Sequence, residues 1–418
     1  MKKYYPRLID YKINQYLNTF GAILIEGPKW CGKTTSASQH AKSILRMQDT
    51  STIQNNMLIA NTVPSLLLEG GKPRLIDEWQ TAPVLWDAVR VDVDNTGEIG
   101  QYILTGSASP LTSSTMHTGT GRIARLLMRP MSLYESNDSS GAISLKDLLE
   151  NRSIMPCKSS KSIQDIAYLI CRGGWPQSIN LPEESALLVM KEYVKSIYNN
   201  DIAEVDHIKT DPKRVESFLK AYSRHIQTLT KNTTILADMR ENDIGISEVT
   251  LYSYLSKLQK MFIIEETSAW APNIRSKTAI RSSNKKGFVD PSIATAILGL
   301  TPSLLLKDFE LFGFMFESLC IRDLRVYVEK MDGQVLHYRD DFGLECDAVL
   351  KLPNGEYGLV EIKLGGKQEE DAAKNLIQLE KRFENKTKPI LKMILTGGEH
   401  GYTRPDGIHV IPVACLKD

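Results

Sequence analysis

The sequence has no apolar run approaching the ~20 residues that a membrane-spanning helix needs. The basic start MKKYYPRLIDYKINQY is not followed by an apolar segment either, so a soluble, cytoplasmic protein is expected. The six cysteines (Cys31, Cys157, Cys171, Cys320, Cys346, Cys415) form no C-x-x-C pair and have no histidine at zinc-ligand spacing. That argues against a zinc ribbon or a disulfide scaffold and for reduced thiols. An excess of one charge sign is also missing: 51 Lys and Arg against 50 Asp and Glu leave a net charge of +1. Any nucleic-acid surface must therefore be a local patch. Internal repeats are absent, and the only compositional bias is a serine-rich stretch at 136–163.

At 418 residues the chain is long enough for two to four domains on the usual ~100 to 200 residues each. Short apolar runs (AILIEG, PRLIDEW, QYILTGS) alternate with helical stretches up to residue 135, the pattern of a parallel sheet covered by helices. The serine-rich stretch then reads as a boundary or flexible connection. Helical spacing dominates from about 164, as in LLVMKEYVKSIYNNDI and RVESFLKAYSRHIQTL. In ISEVTLYSYLSKLQKMFIIEE, Leu251, Leu255, Leu258 and Phe262 share a helix face, and with the preceding ILADMREN and a turn at Gly245 they outline a winged helix. Helix FGFMFESLCIRDLRVYVEK, strands around VLHYRD, LECDAVL and YGLVEIKL, helix DAAKNLIQLEKRFEN and strand PILKMILT form a second α/β unit. The expected division is an N-terminal α/β domain at 1–135, a serine-rich and helical region at 136–225, a winged-helix-like region at 226–300 and a C-terminal α/β domain at 301–418.

GPKWCGKT at 27–34 satisfies G-x-x-x-x-G-K-[ST] between an apolar strand and a helical stretch, the context the motif requires. Gly27 and Gly32 let backbone amides turn toward phosphate oxygens, Lys33 reaches the outer phosphates, and the Thr34 hydroxyl suits Mg²⁺. The whole loop, Gly27, Pro28, Lys29, Trp30, Cys31, Gly32, Lys33, Thr34 and Thr35, is the expected ATP-binding segment. In LIDEW, Asp77 suits the magnesium ion and Glu78 an attacking water. Thr105 and Ser107 end the strand in QYILTGSAS; their hydroxyls suit either the γ-phosphate side of the site, where Ser107 is assigned, or a helix cap. Arg122, Arg125 and Arg129 in GRIARLLMRP have two readings: surface ion pairs, or, for Arg122 first, an arginine finger acting across a homo-oligomer boundary.

These segments in this order resemble the AAA-like ATPases that join an N-terminal AAA domain to a C-terminal domain of the DUF4143 type. RLIDYKINQYL, AILIEGPKWCGKTT, PRLIDEWQ, YILTGSAS, GRIARLLMRPMSLYE, GGWPQSI, YSYLSKLQKMFII, LECDAVL and VEIK carry the resemblance, which covers nearly the whole chain. It implies a P-loop ATPase sheet, a winged-helix middle and a restriction-endonuclease-like end. Lys29, Trp30 and Cys31 depart from the arginine and small or apolar residues common there; packing of Trp30 on the domain is expected rather than stacking on a ligand. IRSSNKKGFVD matches the family's pattern before FVD only loosely.

Metal-assisted phosphodiester cleavage needs carboxylates around Mg²⁺ and a cation near the scissile phosphate. Nucleases of the PD-(D/E)xK type supply an acid on one strand, E-x-K on the next and a further Glu on a preceding helix. Asp347, Glu361, Lys363 and Glu317 match those positions, and Glu361 and Lys363 share a strand face. Lys374 and Gln378 on the next helix are further candidates. The competing reading is a solvated sheet face. Between Glu266 and Asp290 no acid interrupts Arg275, Lys277, Arg281, Lys285 and Lys286, which is either a solvated loop or a wing that contacts DNA phosphates beside Tyr252, Tyr254 and Lys257. The sequence thus favours an Mg²⁺-dependent, DNA-binding, oligomeric ATPase coupled to a nuclease-like domain. A nucleotide-driven switch whose C-terminal domain binds DNA or protein without cutting is the main alternative, and a small-molecule NTP kinase the weaker one.

Overall fold

The apolar runs near the N-terminus become strands in a computed structural model, which describes residues 4–107, 119–205, 208, 210–241, 245–272, 283–383 and 388–418. They are β1 (Ala22–Glu26), β2 (Ser43–Arg46), β3 (Arg74–Asp77), β4 (Tyr102–Gly106) and β5 (Ile123–Leu127). All pair in parallel in the order β2-β3-β4-β1-β5. Central parallel strands are covered on both faces, so they carry continuous rather than alternating apolar residues; β4 is buried along its whole length. Leu24, Ile76 and Leu104 pack with Val89 and with Trp79 and Trp86, whose ring centroids lie 4.8 Å apart. Such an aromatic pair adds about 0.5–1.5 kcal/mol beyond its buried area. In this order β1 lies between β4 and β5, and the chain leaving β1 enters the phosphate-loop motif at the carboxyl end of the sheet, where open α/β sheets bind ligands.

Two compact units are present: Met1–Pro130 with Asp201–Lys209 and Lys257–Phe262, and Met131–Asn200 with Thr210–Ser256 and Ile263–Asp418. The second contains β6 (Ile143–Ser144), β7 (Cys157–Lys158), β8 (Gln334–Arg339), β9 (Glu345–Lys351), β10 (Tyr357–Lys363), β11 (Leu391–Thr396), β12 (His400–Thr403), β13 (His409–Pro412) and β14 (Leu416–Lys417). Seven of them form a mixed sheet in the order β7-β12-β13-β11-β10-β9-β8, and β6 pairs with β14. Helix Glu369–Phe383 lays Ala372, Ala373, Leu376, Leu379 and Phe383 onto this sheet. The serine-rich stretch is therefore woven into the second unit rather than left as a loose connection: β6 and β7 pair there, and the buried Ser139 hydroxyl donates to the Leu416 carbonyl at 2.6 Å. Small hydroxyls that find carbonyl partners are tolerated inside, which composition alone does not reveal.

Helices Pro212–Arg224, Asn232–Arg240 and Glu248–Lys260 make the middle region helical and are followed by two short antiparallel bridges, Ile264 to Phe288 and Thr267 to Lys285. Leu251, Leu255 and Leu258 are buried as the spacing predicts. Phe262 lies beyond that face: the helix ends at Lys260, and Phe262 has φ of 58°, which breaks the helical path. Farther along, the fully buried Arg322 guanidinium donates to Asp290 at 2.9 Å and to Asp323 at 2.6 Å. Asp290 also accepts from the Gly174 amide, so GGWP, FVDPSI and the helix Phe309–Glu329 are tied at one point. Removing one partner from such a buried group costs about 3–5 kcal/mol.

Candidate functional site

The loop after β1 carries the backbone geometry of a phosphate cradle. Gly27, Trp30 and Gly32 all have positive φ (153°, 68° and 103°), and a Cβ on Gly27 would lie 2.1 Å from the Met128 carbonyl oxygen, so only glycine fits. Lys33 and Thr34 open helix Lys33–His40, which aims the helix N-terminus at the loop. The Lys33 ammonium is buried and folded back onto the Gly27 and Pro28 carbonyls at 2.9 and 2.8 Å. A phosphate would replace those carbonyls as its partner. From beneath, Arg7 donates to the Cys31 carbonyl and to the Arg129 carbonyl, both at 2.8 Å, and Cys31 itself is buried against Met128.

Asp77, at the end of β3, gathers the hydroxyls. Its Oδ1 accepts from Thr34 at 2.7 Å and from Thr105 at 2.6 Å. The adjacent Glu78 has φ of 57°, a left-handed conformation uncommon for a non-glycine residue. Gln80 donates to that carboxylate, and the Ser107 hydroxyl contacts it at 3.4 Å. A hydroxyl beside Asp77 and a carboxylate beside it are the donor set that magnesium nucleotide sites use.

Other loop residues lie where spacing alone does not show. The Lys29 side chain pairs with Asp201 at 2.9 Å and Glu204 at 3.2 Å. Trp30 is 50% exposed rather than sunk into the domain. Arg122 donates to Asp94 at 2.7 Å and Arg125 to Glu26 at 3.2 Å, both on the surface.

In the second unit, Asp347 on β9, Glu361 and Lys363 on β10 and Glu317 on helix Phe309–Glu329 come together, but with lysines between them. Lys363 reaches Asp347 and Glu361, each at 2.9 Å. Lys285 reaches Glu317 at 2.7 Å and Asp347 at 3.6 Å. Burial pushes the Glu361 carboxyl up to about 8, reinforced by the Asp347 charge, and burial likewise raises Glu317 to about 7. Burial works the same way on Asp347, but Lys285 and Lys363 outweigh it and hold that carboxyl below its ordinary value. Burial and the Lys285 charge also lower His337 to about 4. Among the described residues no group of three or more Asp, Glu, His or Cys side chains has the arrangement to hold a metal ion.

Lys374 and Gln378 point to solvent; Asn375 is the residue of that helix that turns inward, donating to Glu361 at 2.9 Å. The basic stretch is also divided. Lys285 is in the carboxylate cluster and Lys286 pairs with Glu266 at 2.8 Å, both buried, while Arg275, Lys277 and Arg281 lie outside the described residues. Of the helix residues expected to act with it, Tyr254 and Lys257 are buried and Tyr252 is 47% exposed. Arg7, Gln80 and Asn375 are the site residues that spacing missed, their only sequence signal being their place in the segments PRLIDYK, DEWQ and AAKN, whereas Lys285, read from the sequence as part of a solvated loop or a DNA-contacting wing, instead joins the carboxylate cluster.

Comparison with known proteins places an AAA domain over residues 19–137 and two domains of unknown function, DUF8612 over 163–304 and DUF4143 over 312–416. The chain is 23% identical over 358 residues to the uncharacterised proteins Rv2008c of Mycobacterium tuberculosis and Mb2031c of Mycobacterium bovis, spanning 84% of this chain and 72% of theirs. Among solved structures it is similar to the Walker-type ATPase PABY2304 of Pyrococcus abyssi, with a TM-score of 0.41 and 14% identity over 69% of this chain and 94% of that one. It is also similar to the replication initiator DnaA bound to AMPPCP and single-stranded DNA, with a TM-score of 0.28 and 12% identity over 60% and 86% of the two chains. No helix among the described residues is long and apolar enough to cross a membrane.

Proposed function

Since the chain belongs with the AAA-like ATPases that carry a C-terminal DUF4143 domain, we propose that it is an Mg²⁺-dependent ATP hydrolase whose nucleotide cycle governs binding of DNA. The observation that carries this reading is the convergence of Thr34 and Thr105 on one oxygen of Asp77, with Glu78 next in the chain in a left-handed conformation. Gly27, Gly32 and the amides of the loop would cradle the phosphates, and Lys33 would exchange its two carbonyl partners for phosphate oxygens. Thr34 and Asp77 would hold the magnesium ion, which when bound neutralises charge on the β- and γ-phosphates. Glu78 would orient water and accept its proton, with Gln80 and Ser107 fixing the carboxylate.

The middle region supports DNA as partner through its winged-helix outline and the open face of helix Glu248–Lys260, where Val249 is 79% and Tyr252 47% exposed. For the C-terminal domain, the pairing of its carboxylates with lysines favours recognition over cleavage. One set of measurements tests the coupling: ATP turnover with Mg²⁺, and binding of labelled duplex DNA with and without ATP. Lys33→Ala should abolish turnover and the effect of ATP on DNA affinity. Turnover retained by that variant sinks the site, and wild-type DNA affinity indifferent to ATP sinks the coupling.

A further inference from the structure

We propose that Lys285 is the resident cation of the C-terminal carboxylate cluster: its ammonium stands where a divalent metal would stand, so the site takes no Mg²⁺ or Mn²⁺ while Lys285 is in place. Glu317, Asp347 and Glu361 come from a helix and two adjacent strands, the elements a metal-dependent phosphodiesterase would use, yet five of their six carboxylate oxygens are already engaged. Asp347 gives Oδ1 to Lys285 at 3.6 Å and Oδ2 to Lys363 and the Ile362 amide, both at 2.9 Å. Glu361 gives Oε1 to Asn375 and Oε2 to Lys363, again at 2.9 Å each. Glu317 gives Oε1 to Lys285 at 2.7 Å. Each ammonium therefore spans two carboxylates, the role a bridging metal ion plays among acidic ligands.

Lys285 is not a surface side chain that has swung in. It is 6% exposed, and its backbone is pinned to Thr267 from both sides, the Thr267 amide donating to Lys285 at 3.0 Å and the Lys285 amide to Thr267 at 2.9 Å. Its neighbour Lys286 is held separately by Glu266 and Asn232, which leaves the segment little freedom to slide. A hard divalent ion needs about six oxygen ligands at short range and is repelled by an ammonium in the same shell. The residues present consequently do not fit a metal ion, and they fit two lysines well. One sequence position, outside the strand and helix signature that suggested a nuclease, decides between the two.

The inference deepens the non-cleaving reading of the C-terminal domain, and its readout is separable from ATP turnover and DNA affinity. Mn²⁺ binding to the full chain without nucleotide is followed by the loss of the free-ion electron paramagnetic resonance signal. The wild type is expected to bind no Mn²⁺ that Glu361→Gln removes. Lys285→Met should gain one Mn²⁺ site at least tenfold tighter than any in the wild type, Lys285→Met with Glu361→Gln should lose it, and Lys285→Arg should gain none. A wild-type site that disappears in Glu361→Gln, or a folded Lys285→Met with no added site, overturns the proposal. Should Lys285→Met fail to fold, the comparison of wild type with Glu361→Gln still decides.

Discussion

Glu78 occupies a backbone conformation that costs a non-glycine residue of order 1–3 kcal/mol, and such strain persists where surrounding structure imposes it. Here the imposing contacts are the Thr105 hydroxyl on the Glu78 amide at 3.3 Å and the Gln80 amide on the Glu78 carboxylate. A side chain at position 106 would crowd Gln80, since a Cβ on Gly106 would come within 2.9 Å of its Oε1. A carboxylate held this firmly is suited to directing a water molecule. Glu78→Gln should thus keep nucleotide affinity within a few-fold and lower kcat by about 10²- to 10⁴-fold, the usual worth of a general base. Equilibrium binding of a fluorescent nucleotide alongside steady-state turnover separates the two effects, and an unchanged kcat would remove Glu78 from the chemistry. The residue types of this site were legible because loop, strand end and carboxylates follow one another in short range. Gln80 and Arg7 were not, because their roles depend on where a turn or a distant segment brings an ordinary side chain.

Elements were legible where a period was long enough to read: β9, β10 and the helix Glu369–Phe383 fall where alternation and helical spacing place them. Phase within a helix was harder, since a single step separates the exposed Lys374 from the inward Asn375. The carboxylate cluster on these elements has a consequence for stability. Glu361 and Glu317 are raised by burial to about 8 and about 7, with Lys285, Lys363, Asp347 and Asn375 facing them. A raised carboxyl keeps its proton in the folded state after the unfolded chain has lost it near pH 4.3. Its contribution is full below that unfolded value and is lost as pH rises through the folded one. Stability from these two groups should therefore decline between about pH 5 and 8. Asp347, shifted the opposite way, loses its contribution only in acid, outside this window. Urea unfolding of the second unit across that range should show the decline in the wild type and a flatter profile in Glu361→Gln; parallel profiles would mean Glu361 is ionised throughout.

At the scale of the whole molecule, near-neutral charge places no electrostatic barrier against self-association, and the ATPase-type unit carries an arginine suited to it. Arg122 pairs with Asp94 at 2.7 Å, with the two side chains 48% and 35% exposed. An open pair of this kind contributes about 0–1 kcal/mol, so exchanging Asp94 for the phosphates of a nucleotide on a neighbouring copy costs little. Supplied across a subunit boundary, an arginine is worth about 10³- to 10⁵-fold in turnover. Arg122→Ala alone and Lys33→Ala alone should each be inactive. Mixed, they should recover turnover, because a subunit with an intact phosphate loop then meets one with an intact arginine. The recovery should rise with total protein concentration and peak near equal proportions. Turnover that stays absent at every ratio would assign Arg122 to its pair with Asp94 and leave hydrolysis to the residues of a single chain.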